Sequence, residues 1–275
     1  MIVFDGRFAV QVRCYAGCDP LDIIAALRSR GLWDGSGRDD DIRIGLDELR
    51  RRKTTPATDP NRHKVLALRI WGEATDPTGT PAHAYLKCRG LELPTSATMG
   101  LIRYHARCPK GGSGATAPAL IALMCNVETF EPQAIQRLFL EVDELTGFVR
   151  KTSAMMLGSV GGAAMMISQR EETFWQHCHM CPRLHVCEGL ETGLALHQAG
   201  FEPVWALGSA GAIGRFPVIA NVSRLIICAD NDDHNVGLAA AVDCAERWNV
   251  SSKATIVLPD PGSDFADKFK GVING

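Results

Sequence analysis

The sequence has no uninterrupted apolar run near the ~18 residues that a membrane-spanning helix requires. Its start, MIVFDGRFAVQVRC, has neither the apolar core nor the small-residue cleavage site of a secretory leader. Both absences predict a cytoplasmic protein with no membrane partner. Nor is there an excess of one charge: 29 Lys and Arg stand against 31 Asp and Glu, a formal net charge of −2. That balance excludes a surface that coats a polyanion all over, so any nucleic-acid groove must be local. No Gly-x-x-x-x-Gly-Lys-Ser/Thr loop is present either. The segment KGGSGAT (Lys110 to Thr116) lacks that ending and follows no clear strand, so it reads as a flexible loop, and an ATP-driven helicase within this chain is not expected.

Cysteine is present but not in a disulfide or zinc pattern. The ten cysteines are scattered, and Cys88, Cys125, Cys228 and Cys244 sit in apolar surroundings, as reduced core residues do. HCHMCPRLHVC (His177 to Cys187) packs Cys178 and Cys181 among His177, His179 and His185, which suits half a zinc site. A structural site needs four ligands and there is no second Cys-x-x-Cys pair, so this stretch reads as a loop leading into a strand that buries Cys187, and zinc is not expected.

What is present is enough apolar residue, 46% of 275, for two domains with their own cores. Phe8 to Arg30 reads as a strand, a turn at Tyr15 to Gly17 and a short helix begun by Asp19 and Pro20. From Gly35 to Asp59 charge and turn formers dominate, as in a linker. From His63 the pattern predicts a helix (HKVLALRIWGEA), a turn at Asp76-Pro77, a second helix (PAHAYLKCRG), and strands at Pro118 to Val127 and Gln133 to Leu140. We therefore divide the chain into residues 1–60, an α+β domain at 61–170 and a third region at 171–275.

That last region alternates between strand and helix signals. Apolar runs at Leu184 to Cys187, Val204 to Leu207, Leu225 to Ala229 and Thr255 to Leu258 are separated by helical patterns at Leu190 to Ala199 and Val236 to Trp248. The prediction is an α/β fold, a parallel sheet of about four strands with helices on both faces. In such sheets functional groups gather outside the carboxyl ends of the strands. Glu188 follows the first run, Asp230, Asp232 and Asp233 the third, and Asp260, Asp264 and Asp267 the fourth. Each acid alone could cap the next helix. Jointly they make a crowded set of hard oxygen ligands whose repulsion Mg²⁺ would relieve.

CEGLETGLAL, PVWALGSAGAIGRFPV, LIICADNDDHNVGLAAAVDCAERW and PGSDFADKF together resemble a Toprim domain, of the subgroup found in primase-like proteins of bacteria, plasmids and phages. YLKCRGLELP, PALIALMCNVE and QAIQRLFLEVD resemble the uncharacterised domain that precedes Toprim there. The resemblance implies a general acid/base at Glu188, which is also a candidate metal ligand, Mg²⁺ (or Mn²⁺) held by Asp230 and Asp232, and a closing acidic turn with Asp264 as a further metal ligand and Asp267 behind it. Glu191 matches the second acid of the family's EG-x-E-T pattern and is expected to support the site. Cys14-Tyr-Ala-Gly-Cys18 resembles the second half of the zinc ribbon that opens primase-like proteins. Its first ligand pair would lie upstream, so a truncated ribbon without zinc is expected.

Three functions stay open. A primase-like nucleotidyltransferase would use these acids on single-stranded DNA or RNA and nucleoside triphosphates, with a separate helicase as partner. A Toprim nuclease would present water instead of a 3′-hydroxyl. A catalytically silent nucleic-acid-binding module of a replication or defence system is the third. Arg137, Lys151 and Arg215 are candidates to hold template or triphosphate. None of the three tyrosines, Tyr15, Tyr85 and Tyr104, stands out as a topoisomerase nucleophile.

Overall fold

Successive residues of a strand face opposite sides of its sheet, and in the computed structural model the longest strands are buried on both sides. The structure describes residues 2–5, 10–13, 28–31, 60–93, 100–111, 114–168, 181, 183–230, 236–259 and 265. They belong to two compact units, 1–59 and 60–275. In the first unit β1 (Ile2–Asp5) and β2 (Val10–Arg13) pair antiparallel, Ile2 with Arg13 and Asp5 with Val10. The turn expected at Tyr15 to Gly17, the Cys14 and Cys18 pair and the linker to Asp59 lie outside the described residues.

The second unit opens with α1 (Pro60–Glu73) and α2 (Pro81–Cys88), where the sequence predicts helices. Pro81 starts α2 at a position whose N–H needs no partner. A meander of antiparallel strands follows: β3 (Ile102–Pro109), β4 (Thr116–Asn126), β5 (Pro132–Val142) and β6 (Val149–Gly158). The KGGSGAT segment joins β3 to β4, closed by Lys110 N donating to Ala115 O at 2.7 Å. After β7 (Ala163–Met166) the chain alternates as expected: β8 (Leu184–Cys187), α3 (Leu190–Gln198), β9 (Val204–Ala206), α4 (Ala210–Gly214), β10 (Arg224–Cys228), α5 (Val236–Trp248) and β11 (Lys253–Val257).

All nine strands of this unit form one sheet in the order β11-β10-β8-β9-β7-β4-β5-β6, with β3 sharing an edge of β4 with β7. The four strands β11, β10, β8 and β9 are mutually parallel, the parallel sheet predicted from the sequence. β7 joins them to the meander. Its Ala163 and Ala164 pair with Asn126 and Cys125 of β4, and its Met165 and Met166 pair with Ala206 and Trp205 of β9.

Both faces of the sheet are covered. On one face Ala67 and Ile70 of α1, Ile213 of α4 and Ala241, Cys244 and Trp248 of α5 pack on Ile121, Leu184, Val186, Trp205, Leu225 and Ile227. There Phe216 stacks on Trp248 at 6.0 Å and meets Trp205 edge-on at 6.3 Å, fixing α5 against β9. On the other face Tyr85 and Leu86 of α2 and Leu190, Leu194 and Leu196 of α3 cover Leu120, Met124, Leu138, Cys187 and Cys228. No helix among the described residues is long and apolar enough to cross a membrane.

Candidate active site

Register places the acids. Cys187 and Cys228, the last residues of β8 and β10, are direct partners in the parallel ladder, so Glu188 and Asp230 leave the sheet at the same carboxyl edge. Electrostatics agrees with that placement. Burial, then Cys228, Asp230 and Glu188, push the Cys187 thiol well above its usual range. Burial and Asp230 push Cys228 up to about 12. Asp230 thus acts on both buried thiols and Glu188 on Cys187, and the thiols stay protonated and neutral at physiological pH. Asp232, Asp264 and Asp267 lie outside the described residues, but Phe265, between the last two in sequence, is buried in the same core as Cys187 and Cys228.

The end of β9 is tied to this edge. Leu207 N donates to Cys187 O at 2.9 Å and Gly208 N to Glu188 O at 2.7 Å. Gly208 has φ +89°, and a Cβ there would stand 2.6 Å from Met156 Sδ and 3.4 Å from Met124 Cε, so a side chain is excluded twice over. The backbone beside Glu188 therefore rests on β4 and β6, on the sheet face that carries α2 and α3. Ser209 then caps α4, its hydroxyl accepting from Ala212 N at 3.2 Å, and Arg215 ends that helix exposed to solvent. Arg215 lines a small pocket with Met156, Leu207, Ser209 and Phe216, on the same side of the sheet as the carboxyl end of β9.

Glu191, in the first turn of α3, holds three elements together. Its Oε1 accepts from the Tyr85 hydroxyl and lies 3.8 Å from Arg89 Nε, both on the α2 side, while its Oε2 is 2.6 Å from Lys151 Nζ on β6. Lys151 is thereby paired with an acid rather than standing alone. Arg137 is not brought to the acids. It is buried on β5, donates to Pro109 O at 2.8 Å and lies 5.5 Å from the Phe139 ring, a residue of the α1 face. Cys178 lies outside the described residues. Cys181 is buried, and its thiol donates to Arg183 O at 3.1 Å. Burial depresses the His185 pKa, and its Nδ1 contacts Pro203 O at 3.1 Å.

One residue near the site escaped the sequence reading. Gln136 is buried on β5, directly opposite Met156, and among the described residues its Oε1 has no hydrogen-bond partner. Its signal in the sequence is an uncharged polar residue in the middle of the apolar run QAIQRLFLEV.

Known proteins resemble this arrangement at two levels. A domain of unknown function (DUF7146) matches residues 61–167, and the Toprim domain matches residues 183–271. No curated protein matches the chain. Among solved structures, a DNA primase domain from Pseudomonas aeruginosa is 15% identical, with 74% of this chain and 73% of that one covered and a TM-score of 0.47. The E. coli primase catalytic core is 15% identical over 75% and 74%, with a TM-score of 0.47. The Aquifex aeolicus primase, with its zinc-binding and RNA polymerase domains, is 11% identical over 94% and 69%, with a TM-score of 0.48. The acidic edge thus lies in a known kind of domain: the chain carries a Toprim domain, preceded by a domain of unknown function.

Proposed function

We propose that the chain is a primase-like nucleotidyltransferase that joins nucleotides on a nucleic-acid template, with its chemistry at the edge shared by Glu188 and Asp230. The observation that carries this reading is the pairing of Cys187 with Cys228, which sets two carboxylates at one edge of a Toprim sheet. The donor set fits a hard divalent cation, because the oxygens are carboxylate and the neighbouring thiols are held protonated. Asp230 and Asp232 would hold Mg²⁺ or Mn²⁺, with Glu188 and Asp264 adjoining. The cation, when bound, supplies Lewis acidity toward phosphate oxygens.

Glu188 has the remaining task of taking the proton from the attacking 3′-hydroxyl. Gly208 fixes its backbone, and the Glu191 network fixes the helix that follows it. Arg215 offers an exposed guanidinium on the same edge for a triphosphate or a template phosphate. Lys151 joins it only as far as its pairing with Glu191 allows, and Arg137 supports the sheet. Single-stranded DNA or RNA, nucleoside triphosphates and a separate helicase are the partners this reading assigns.

The test is incubation of the chain with single-stranded DNA, labelled nucleoside triphosphates and Mg²⁺ or Mn²⁺. New oligomers support the proposal. Shortened strands would assign the same acids to a nuclease, and binding without either product would leave a silent binding module. In whichever reaction is found, Glu188→Gln should slow turnover by roughly 10²-fold or more and leave strand affinity unchanged or slightly raised. Loss of binding together with turnover would make Glu188 a structural residue instead.

A further inference from the structure

At the amino edge of the same parallel strands, opposite the acids, three cations stand in a row. Arg224 pairs with Lys253, and Arg183 precedes Leu184 just as Arg224 precedes Leu225, the partner of Leu184. Register partners in a parallel sheet point to the same face at about 4.8 Å spacing. Three exposed side chains, Arg183, Arg224 and Lys253, therefore crowd one face within roughly 10 Å. With Ser223, Ser252 and Ile226 they line an open pocket of about 690 Å³. The lining offers donors and no acid. Among the described residues none of the three cations has a carboxylate partner, and the buried Ser223 hydroxyl has no hydrogen-bond partner.

A chain with a net charge of −2 does not gather three cations, none with a carboxylate partner among the described residues, through general basicity. Adjacent like charges repel, and an anion that accepts hydrogen bonds removes the repulsion and engages the guanidinium forks and the hydroxyl together. We infer that this pocket is a phosphate site that takes the backbone of a nucleic-acid strand. The choice of a strand as the source of phosphate rests on the function proposed above. Arg224 lies six residues before Asp230, roughly 20 Å along the strand direction, so a strand running from edge to edge contacts both sites. Contacts at the amino edge hold and orient the strand and leave the chemistry to the acids.

The test is fluorescence anisotropy of a labelled single-stranded oligonucleotide on the full chain, for wild type, Arg224→Gln and the triple variant Arg183→Gln/Arg224→Gln/Lys253→Gln, between 50 and 200 mM salt. Each phosphate contact contributes about 0.7 to the slope of log affinity against log salt, so the triple variant should lose about 2 and Arg224→Gln about 0.7. An unchanged melting temperature checks that the variants fold. Equal slopes in wild type and a folded triple variant overturn the inference while leaving the proposed function intact. If wild type binds no strand at all, both fall. Titration of a nucleoside triphosphate separates the sources. Loss of triphosphate binding with strand binding untouched keeps the phosphate chemistry and reassigns it to free nucleotide.

Discussion

Replacing Gly193 with Ala should destabilise the protein even though the change favours the helix. Gly193 lies inside α3, and in an open helix the substitution is worth about 1 kcal/mol. Here the new methyl would stand 2.2 Å from Ile167 Cδ1, 3.2 Å from Cys187 Sγ and 3.4 Å from Ala206 Cβ. All three neighbours are fully buried, so none can move aside without displacing more of the core. Overpacking of this kind costs about 1–3 kcal/mol and a contact of 2.2 Å lies at the severe end, so we expect a net loss near 2 kcal/mol after the helical gain. For a unit of this size that lowers the melting temperature by about 4–8 °C. Ile167→Val removes the clashing Cδ1 alone and should cost about 1 kcal/mol. In the double variant the methyl fills the vacated space, so the two losses should fall short of additivity by about 1 kcal/mol or more. Urea unfolding of the four proteins decides the matter. A Gly193→Ala protein as stable as wild type, or strict additivity with Ile167→Val, would refute the close packing of α3 behind Glu188.

Two further outcomes are expected. Replacing Asp230 and Asp232 together with Ala should abolish Mn²⁺ binding in a calorimetric titration without unfolding the chain, because removing mutually repelling carboxylates is neutral or mildly stabilising; an unchanged titration would sink the metal assignment. Cys244, whose pKa burial pushes up to about 11, should make the protein less stable in base. The unfolded thiol releases its proton near pH 9 while the folded one keeps it to about 11, so stability is fully present below pH 9 and is lost as pH rises toward 11. Between pH 8 and 10 Cys244 alone should account for about 1.4 kcal/mol, and Cys244→Ala should flatten the profile by that amount in parallel urea series; equal slopes would show that the thiol is not protected.

β8, β9 and most of β10 were legible because burial on both faces writes them as largely apolar runs, LHVC and RLIIC among them, while β11 has no buried residue. Their shared register was not written anywhere, but the rule that functional groups of parallel sheets gather at the carboxyl ends of the strands singles out Glu188 and Asp230, which the ladder then sets at one edge. β3, β6 and β7 escaped, and the last two take their state from pairing rather than composition. β6 is an edge strand with residues such as Arg150, Lys151 and Thr152 exposed, so it shows no apolar period. β7 is four residues of Ala and Met, weak strand formers that are extended because β4 and β9 pair with them. Arg137 is a candidate because it follows an apolar stretch in the family-like QAIQRLFL segment, but sequence cannot tell a solvated guanidinium from one turned onto a carbonyl and a ring. The row of Arg183, Arg224 and Lys253 was equally hidden, because its members are far apart in sequence and meet only through register.

β7 also explains why the two matched domains work as one sheet. Without it β9 would be an edge, with unpaired backbone groups and with Ala206 and Trp205 open to solvent or to another chain. With it, β9 is interior, and the turn after β9 is held down on Met124 and Met156 of the preceding domain. That turn supplies the amide bound to the Glu188 carbonyl, and in the first turn of α3 Glu191 is bound by Lys151 and Tyr85. The ladder from Cys187 to Cys228 and the bond from Leu207 N to Cys187 O lie within the Toprim domain. The packing of the turn after β9 and the partners of Glu191 draw on the domain of unknown function as well. The domain of unknown function contributes the platform under the turn after β9 and the partners of Glu191, and the Toprim domain contributes Glu188 and Asp230.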